Sequence, residues 1–336
     1  MKICVIGDLH LRTELPYSSA IPDGRRSEWA AVLDKIVETA NKCDAVVLLG
    51  DVLNSRNNAS VVLKELVEFL KRLGDKPVHI ISGNHERMGP NTALDFLQKI
   101  NHKNWHVYTE ITQGVQIGDI KATFIPFTTY AQLGVTIKEE GEKALIDSLN
   151  PADVSFSHHA FAGGKSTEFF NTEIVLDKDK MSKLFGMNFF GHIHKAERLG
   201  INVQGTGSIF TQEIGESEKS IFIWDSQTKT IEEIPLPVRQ IHKMIWEEQS
   251  GKEIIASTAI VKCYVTNKET NVEDVKEALK YFDAAIVIEQ YPSTREKVHF
   301  EEGTLDLSVD NLLKVYAETK GLNYADLKQA FEIIKI

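Results

Sequence analysis

Three apolar runs, KICVIG (2–7), DAVVLLG (44–50) and PVHIISG (77–83), alternate with two helical patterns in the first quarter of the chain. Between the first two runs, Arg26 to Asn41 places Trp29, Val32, Leu33, Ile36 and Val37 on one face of a helix. Between the next two, Ala59 to Leu73 does the same. Strands that are apolar on both faces, joined by helical crossovers, constrain the fold more than any other feature. They predict a parallel sheet covered by helices. A hairpin-like stretch (GVQIGDIKATFIPF), a helix near Glu139 to Leu149, and further strands in DVSFS, NFFG, SIFIWD and KTIEEIPL follow, with two short strands around Asn202. Two strand layers with outer helices would bury all of these. The expected fold is therefore an α/β, two-sheet αββα sandwich over residues 1–236. At Pro235 and Pro237 the pattern changes to IHKMIWEE, STAIVKCYV, a helix over Val272 to Tyr281, and AAIVIEQY. This reads as a small α+β domain over 237–302, followed by C-terminal helices over 303–336.

The apolar strands end in one kind of residue. KICVIG leads to Asp8 and His10, DAVVLLG to Asp51, PVHIISG to Asn84 and His85, DVSFS to His158 and His159, and NFFG to His192 and His194. Open α/β sheets gather their ligands at the carboxyl ends of strands. In an extended chain residues i and i+2 point the same way, so Asp8 and His10 are expected to converge. The chain has 11 histidines, and many of them fall at these strand ends. Carboxylate, amide and imidazole donors without cysteine suit Mn²⁺, Fe²⁺ or Zn²⁺. So many groups exceed one coordination sphere and suit two ions about 3.5–4 Å apart, which clamp an in-line displacement at phosphorus. The adjacent His158 and His159 leave two candidates for one ligand position.

Composition narrows the setting. The 336 residues are 42% hydrophobic and 26% charged, as in a globular protein. No apolar run reaches the roughly 18 residues of a membrane span, and the N-terminal run is too short for a signal peptide. Cys4, Cys43 and Cys263 lack metal-type spacing and read as reduced packing residues of a cytoplasmic protein. A net charge of −10 argues against a broad basic surface for nucleic acid. It leaves room for a local site where bound cations supply the positive charge.

GDLH, GDVLN, GNHE, SHH and GHIH, in that order, resemble the motifs of the calcineurin-like metallophosphoesterases over roughly residues 1–235. The resemblance implies that Asp8, His10, Asp51 and His194 hold one metal and that Asp51, Asn84, His158 and His192 hold the other. Asp51 would bridge, and His85 would face the scissile phosphate and help protonate the leaving oxygen. Within the family, the chain is most similar to the SbcD-type DNA nuclease subunits, including compact phage-encoded ones and relatives of the eukaryotic break-repair nuclease. That similarity implies Mn²⁺- or Mg²⁺-dependent exonuclease and single-strand endonuclease activity on DNA. It also implies a partner, a coiled-coil ATPase of the SbcC type, in repair, recombination or replication. A homodimer is a further possible assembly. The expected partner contacts are Leu312, Leu313, Tyr316, Leu327 and Phe331, in two helical patterns whose stripes are Leu312, Val315 and Tyr316, and Leu327, Phe331 and Ile334. Arg12, Arg56, Arg87 and His159 are candidate substrate contacts. Asn54 is another, at a position where family members often carry His or Asp. The competing readings are a stand-alone metallophosphatase or cyclic nucleotide phosphodiesterase, and a non-catalytic scaffold. Leu11 after His10 and Val52–Arg56 after Asp51 depart from the protein-phosphatase pattern. A scaffold would be expected to have lost ligands, and none is missing here.

Overall fold

The computed structural model describes residues 1–88, 91–164, 173–214, 216, 218–246, 259–267, 269–279, 285–290, 323–325 and 328. The chain forms two compact units, Met1–Tyr291 and Pro292–Ile336. In the second unit the described residues include Asn323, whose side-chain oxygen accepts the Ala325 N–H at 2.9 Å at the start of a helical turn. Leu312, Leu313, Tyr316, Leu327 and Phe331 lie outside the described residues.

Two six-stranded sheets dominate the first unit. One runs in the order Thr230–Pro235, Ser220–Asp225, Lys2–Ile6, Ala45–Leu48, Val78–Ile81, Trp105–Tyr108. From Lys2–Ile6 onward its strands are parallel, and Ser220–Asp225 pairs antiparallel with Lys2–Ile6. The other runs Glu197–Arg198, Val203–Gly205, Phe185–Phe190, Ala152–Ser157, Ile120–Ile125, Thr112–Ile117. Its centre is parallel, and its last two strands form the expected hairpin with a bulge between Thr112 and Val115.

The side-chain alternation of the strands sorts the core into layers. Ile3 and Val5 point into a cluster shared with Val47, Phe124, Val154, Phe156, Phe189 and Trp224, which lies between the two sheets. Cys4 and Ile6 point the other way, onto Val32, Leu33 and Ile36 of helix Arg26–Ala40 and Val62, Leu66 and Phe69 of helix Ser60–Arg72. The outer face of the second sheet packs Phe185 and Phe190 on Leu145 of helix Lys138–Asp147 and Met181 of helix Lys178–Leu184. The result is the helix–sheet–sheet–helix sandwich that the apolar pattern predicts.

Ile241–Ile245, Ile260–Val265 and Ala285–Gln290 form a separate three-stranded parallel sheet. With helix Val272–Leu279 it has its own small core of Met244, Val261, Cys263, Val265 and Val275. Ile241 and Ile260 also pack against Ile21. All three cysteines are buried and form no disulfide among the described residues. Among the described residues no helix is long and apolar enough to cross a membrane.

Candidate metal centre

The carboxyl ends of five parallel strands, three from one sheet and two from the other, meet along one edge of the sandwich. Local backbone chemistry brings their polar ends together. After Lys2–Ile6 and Ala45–Leu48 the two chain segments stay side by side: His10 N–H donates to Asp51 O at 2.8 Å and Leu11 N–H to Val52 O at 2.9 Å. His10, Asp51 and His192 have φ of 47°, 45° and 75°, the left-handed region that non-glycine residues avoid. Such strain persists where the surroundings over-determine it, and it clusters at functional sites. Asp8 and His10 do converge. The cause differs from the extended i, i+2 geometry expected from the sequence: a left-handed turn at His10 and its pairing with the Asp51 loop aim the ring.

One ligand atom each from Asp8, His10 and His194 lies within 4.8 Å of the others, and the same holds for Asp51, His158 and His192. A third such group joins His10, Asp51 and His85. Asn84 Oδ1 lies 3.1 Å from His158 Nε2 and 3.0 Å from His192 Nδ1, which adds an amide oxygen to the second group. Asp51 lies between the groups, with Oδ2 3.3 Å from His158 Nε2 and 3.8 Å from His10 Nε2.

Hydrogen bonds behind the rings fix which nitrogen faces inward. His158 Nδ1–H donates to Leu49 O at 2.6 Å, so Nε2 faces Asp51 and Asn84. His85 Nδ1–H donates to Asn54 O at 2.8 Å, leaving Nε2 at the centre, 3.9 Å from Asp51 Oδ2. The His85 side chain is 39% exposed, whereas Asp8, Asp51 and His158 are buried. Openness beside buried donors suits a group that meets substrate.

The electrostatics are those of a site built for cations. Burial pushes the Asp8 carboxyl up, with Asp51 beside it adding to the rise. Burial also opposes ionisation of Asp51, but His158, His10 and His85 outweigh it and hold its carboxyl well below the usual range. His158 is pushed up to about 10, because Asp51 and Asp8 overcome its burial. Desolvation drives His10 well below its ordinary value. Asp8 Oδ2 and His10 Nδ1 are buried without a hydrogen-bond partner. Two buried carboxylates, an inward amide oxygen, converging imidazoles and an orphaned carboxylate oxygen fit a pair of divalent cations with oxygen–nitrogen coordination.

Several supporting residues carry no motif-level signal. Glu173 accepts from His192 Nε2–H at 2.6 Å. Lys219, 2% exposed, donates to His194 O at 2.8 Å and pairs with Glu216 at 2.6 Å; Glu216 lies 3.6 Å from His194 Nδ1. Burial opposes the charge on His194, yet Glu216 and Asp8 raise its pKa. Glu86 accepts from Leu53 N–H and Gly83 N–H, both at 2.7 Å, and so ties the Asp51 loop to the Asn84 loop. Unlike the others it lies in a motif, as the last residue of GNHE. Burial and the Asp51 charge push it up to about 8.

The expected substrate contacts divide. Arg56 is exposed and lines a 440 Å³ cavity with Asn84, Arg87, Phe127, Thr129, Gln132 and Glu173. The Arg87 guanidinium donates to Phe127 O at 2.7 Å and Thr109 O at 3.3 Å, holding the cavity wall. Arg12 donates to His10 O at 3.3 Å and to Gln212. Asn54 offers the centre its backbone carbonyl, the acceptor for His85. His159 is placed apart from the open side of the site. It is fully buried, its Nε2 accepts the Thr128 N–H at 3.2 Å, and its Nδ1–H donates to Ile174 O at 3.4 Å. Burial, with His192 and His158 nearby, lowers it to about 3, so it is a neutral tether.

Similar solved structures include an archaeal phosphodiesterase, at 18% identity over 70% of this chain and all of that one, with a TM-score of 0.38. A protein of Thermus thermophilus is 15% identical over 70% of this chain and 98% of its own, at a TM-score of 0.40. A hypothetical protein of Pyrococcus horikoshii is 13% identical over 70% of this chain and 87% of its own, at 0.36. Residues 1–196, which hold every motif histidine and carboxylate described above, match the calcineurin-like phosphoesterase family, and the chain belongs to that family.

Proposed function

We propose that this phosphoesterase is a two-metal DNA nuclease, cleaving phosphodiester bonds as an exonuclease and in single strands as an endonuclease. The observation that carries the hydrolytic part is the convergence of Asp8, His10 and His194 beside Asp51, His158 and His192, with Asn84 Oδ1 between the two latter rings. In this reading Asp8, His10, Asp51 and His194 hold one cation, and Asp51, Asn84, His158 and His192 the other. Mn²⁺ is the preferred ion and Mg²⁺ the alternative. When bound, the pair supplies charge neutralisation at the phosphate and lowers the pKa of water. The chain supplies the rest. Asp51 aligns the two halves of the site. His85, tethered at Nδ1, presents Nε2 to the leaving oxygen, where its imidazolium form stabilises charge and delivers the Nε2 proton, leaving the neutral ring.

The DNA assignment rests on the departures from the phosphatase pattern at Leu11 and at Val52–Arg56, and on the α+β region after Pro237. That region would guide duplex toward the metal edge. The last two helices would dock an SbcC-type ATPase through Leu312, Leu313, Tyr316, Leu327 and Phe331, as an apolar helix stripe does in a partner groove.

The deciding experiment is digestion of end-labelled duplex and single-stranded DNA beside a small generic phosphodiester, with Mn²⁺ and with EDTA. Mn²⁺-dependent loss of DNA supports the nuclease. Turnover of the small ester with intact DNA would favour the stand-alone phosphodiesterase, and inertness toward both would favour a scaffold. For the partner, Leu313→Asp with Phe331→Asp should abolish co-purification with the ATPase while preserving single-strand cleavage. Retained binding would remove these helices from the interface.

A further inference from the structure

His192 lies between two acceptors. Its Nδ1 is 3.0 Å from Asn84 Oδ1, and its Nε2 is 2.6 Å from Glu173 Oε2. A neutral imidazole carries one N–H, and a carboxylate can only accept. The Glu173 contact therefore places the hydrogen on Nε2 and leaves the Nδ1 lone pair facing Asn84, His158 and Asp51. The other tautomer would spend Nδ1–H on Asn84 Oδ1 and remove two donors from a cation at once.

Glu173 is held in place by a residue whose purpose the sequence left open. Ile174 O accepts from His159 Nδ1–H, and His159 Nε2 accepts from Thr128 N–H. The His158–His159 doublet thus divides its work. The first ring faces the centre, and the second pins the segment that carries Glu173. The His192 backbone is left-handed, its main-chain N–H donates to Asp8 at 3.1 Å, and Glu173 adds a hold on the ring itself. The neighbouring His194 has a different arrangement. Glu216 stands 3.6 Å from it, beyond hydrogen-bond length, and is paired with buried Lys219.

We infer that Glu173 is a positioning residue for one metal only, the ion held by Asn84, His158 and His192, because it locks His192 as an Nδ1 ligand. This rests on the two-metal reading above. Outer partners of ligating histidines typically contribute about 10–100-fold in metal affinity. The test is calorimetric titration of Mn²⁺ into metal-free wild type, Glu173→Gln and Glu173→Ala proteins. Paramagnetic resonance distinguishes a coupled Mn–Mn pair from an isolated ion, and melting without metal serves as a fold control. Wild type should take up two ions. Glu173→Ala should bind one ion as wild type does and the other about 10–100-fold more weakly, with loss of the coupled signal and an unchanged metal-free melt. Glu173→Gln keeps an acceptor oxygen and should fall between the two. If the alanine variant does not fold, the same selective loss is required of Glu173→Gln. Two wild-type affinities in Glu173→Ala, or equal weakening of both sites, would overturn the inference. A wild type that takes up fewer than two ions would overturn the two-metal reading and this inference with it.

Discussion

Asp51 presents one carboxylate oxygen, Oδ1, to the His85 N–H at 2.9 Å and the other, Oδ2, to His158 at 3.3 Å and His10 at 3.8 Å. Such sharing sets the expected mutational pattern. Asp8→Ala should chiefly lose the ion on its own side, whereas Asp51→Ala should lose both. Anomalous scattering or calorimetry would show this, and two full-occupancy ions in Asp51→Ala would refute the shared role. His85→Ala should behave differently, keeping both ions and the fold. Its cleavage rate should fall on the order of 10²–10⁴-fold, the usual cost of removing a general acid or charge stabiliser. A near-normal rate at full metal occupancy would make His85 a bystander. At this scale the motif residues were legible because a polar donor after an apolar run has few other reasons to be there. Glu173, Glu216 and Lys219 were not legible. Their significance depends on chain returns that bring them to His192 and His194, and nothing in their immediate neighbours marks it.

Among the strands and turns, the fully apolar runs were recognisable because burial on both faces demands such residues. Trp105–Tyr108 was not: WHVY is short and carries a histidine, yet it closes one edge of the first sheet by pairing with Val78–Ile81. Helices Asp95–Ile100 and Lys178–Leu184 were also too short for their periodicity to stand out. The turns that aim the ligands depend on glycine at two close approaches. Gly50 has φ +89°, and a Cβ there would lie 2.3 Å from His158 Nδ1. At Gly83 a Cβ would fall 2.1 Å from Asp51 Oδ1. Gly50→Ala should therefore destabilise the protein by more than about 1 kcal/mol and weaken metal uptake together. Urea unfolding beside Mn²⁺ titration checks this, and an unperturbed variant on both measures would mean that the turn relaxes freely.

For the molecule as a whole, the centre links stability to pH. His158 stands at about 10 in the folded chain and near its ordinary 6.5 unfolded. Without metal, the extra proton stabilises the fold fully below about pH 6.5, and that contribution is lost as pH rises through about 10. Glu86, raised from 4.5 to about 8, acts in the same direction: between those values the unfolded chain releases a proton that the folded chain keeps. Metal-free protein in EDTA should thus melt at falling temperature from about pH 6 to about pH 10. Saturating Mn²⁺ should flatten or reverse the trend, since the cation replaces the proton and binds more tightly as ligands deprotonate. Melting curves that rise with pH in EDTA would contradict the assignment. The two-layer architecture followed from local patterns. The return of Ser220–Asp225 to pair with Lys2–Ile6 did not, because it joins two ends of a long chain that no local pattern connects.

The edge where the two sheets meet has a mechanical consequence. Asp8, Asp51 and Asn84 follow strands of one sheet, and His158, His192 and His194 follow strands of the other, so an ion held between them would be a rivet through both layers. His192 N–H already grips the Asp8 carboxylate across 184 positions of chain. Parting the layers and releasing such ions would then be one motion, and a phosphoesterase holding its metals this way could not loosen its frame while it kept its chemistry.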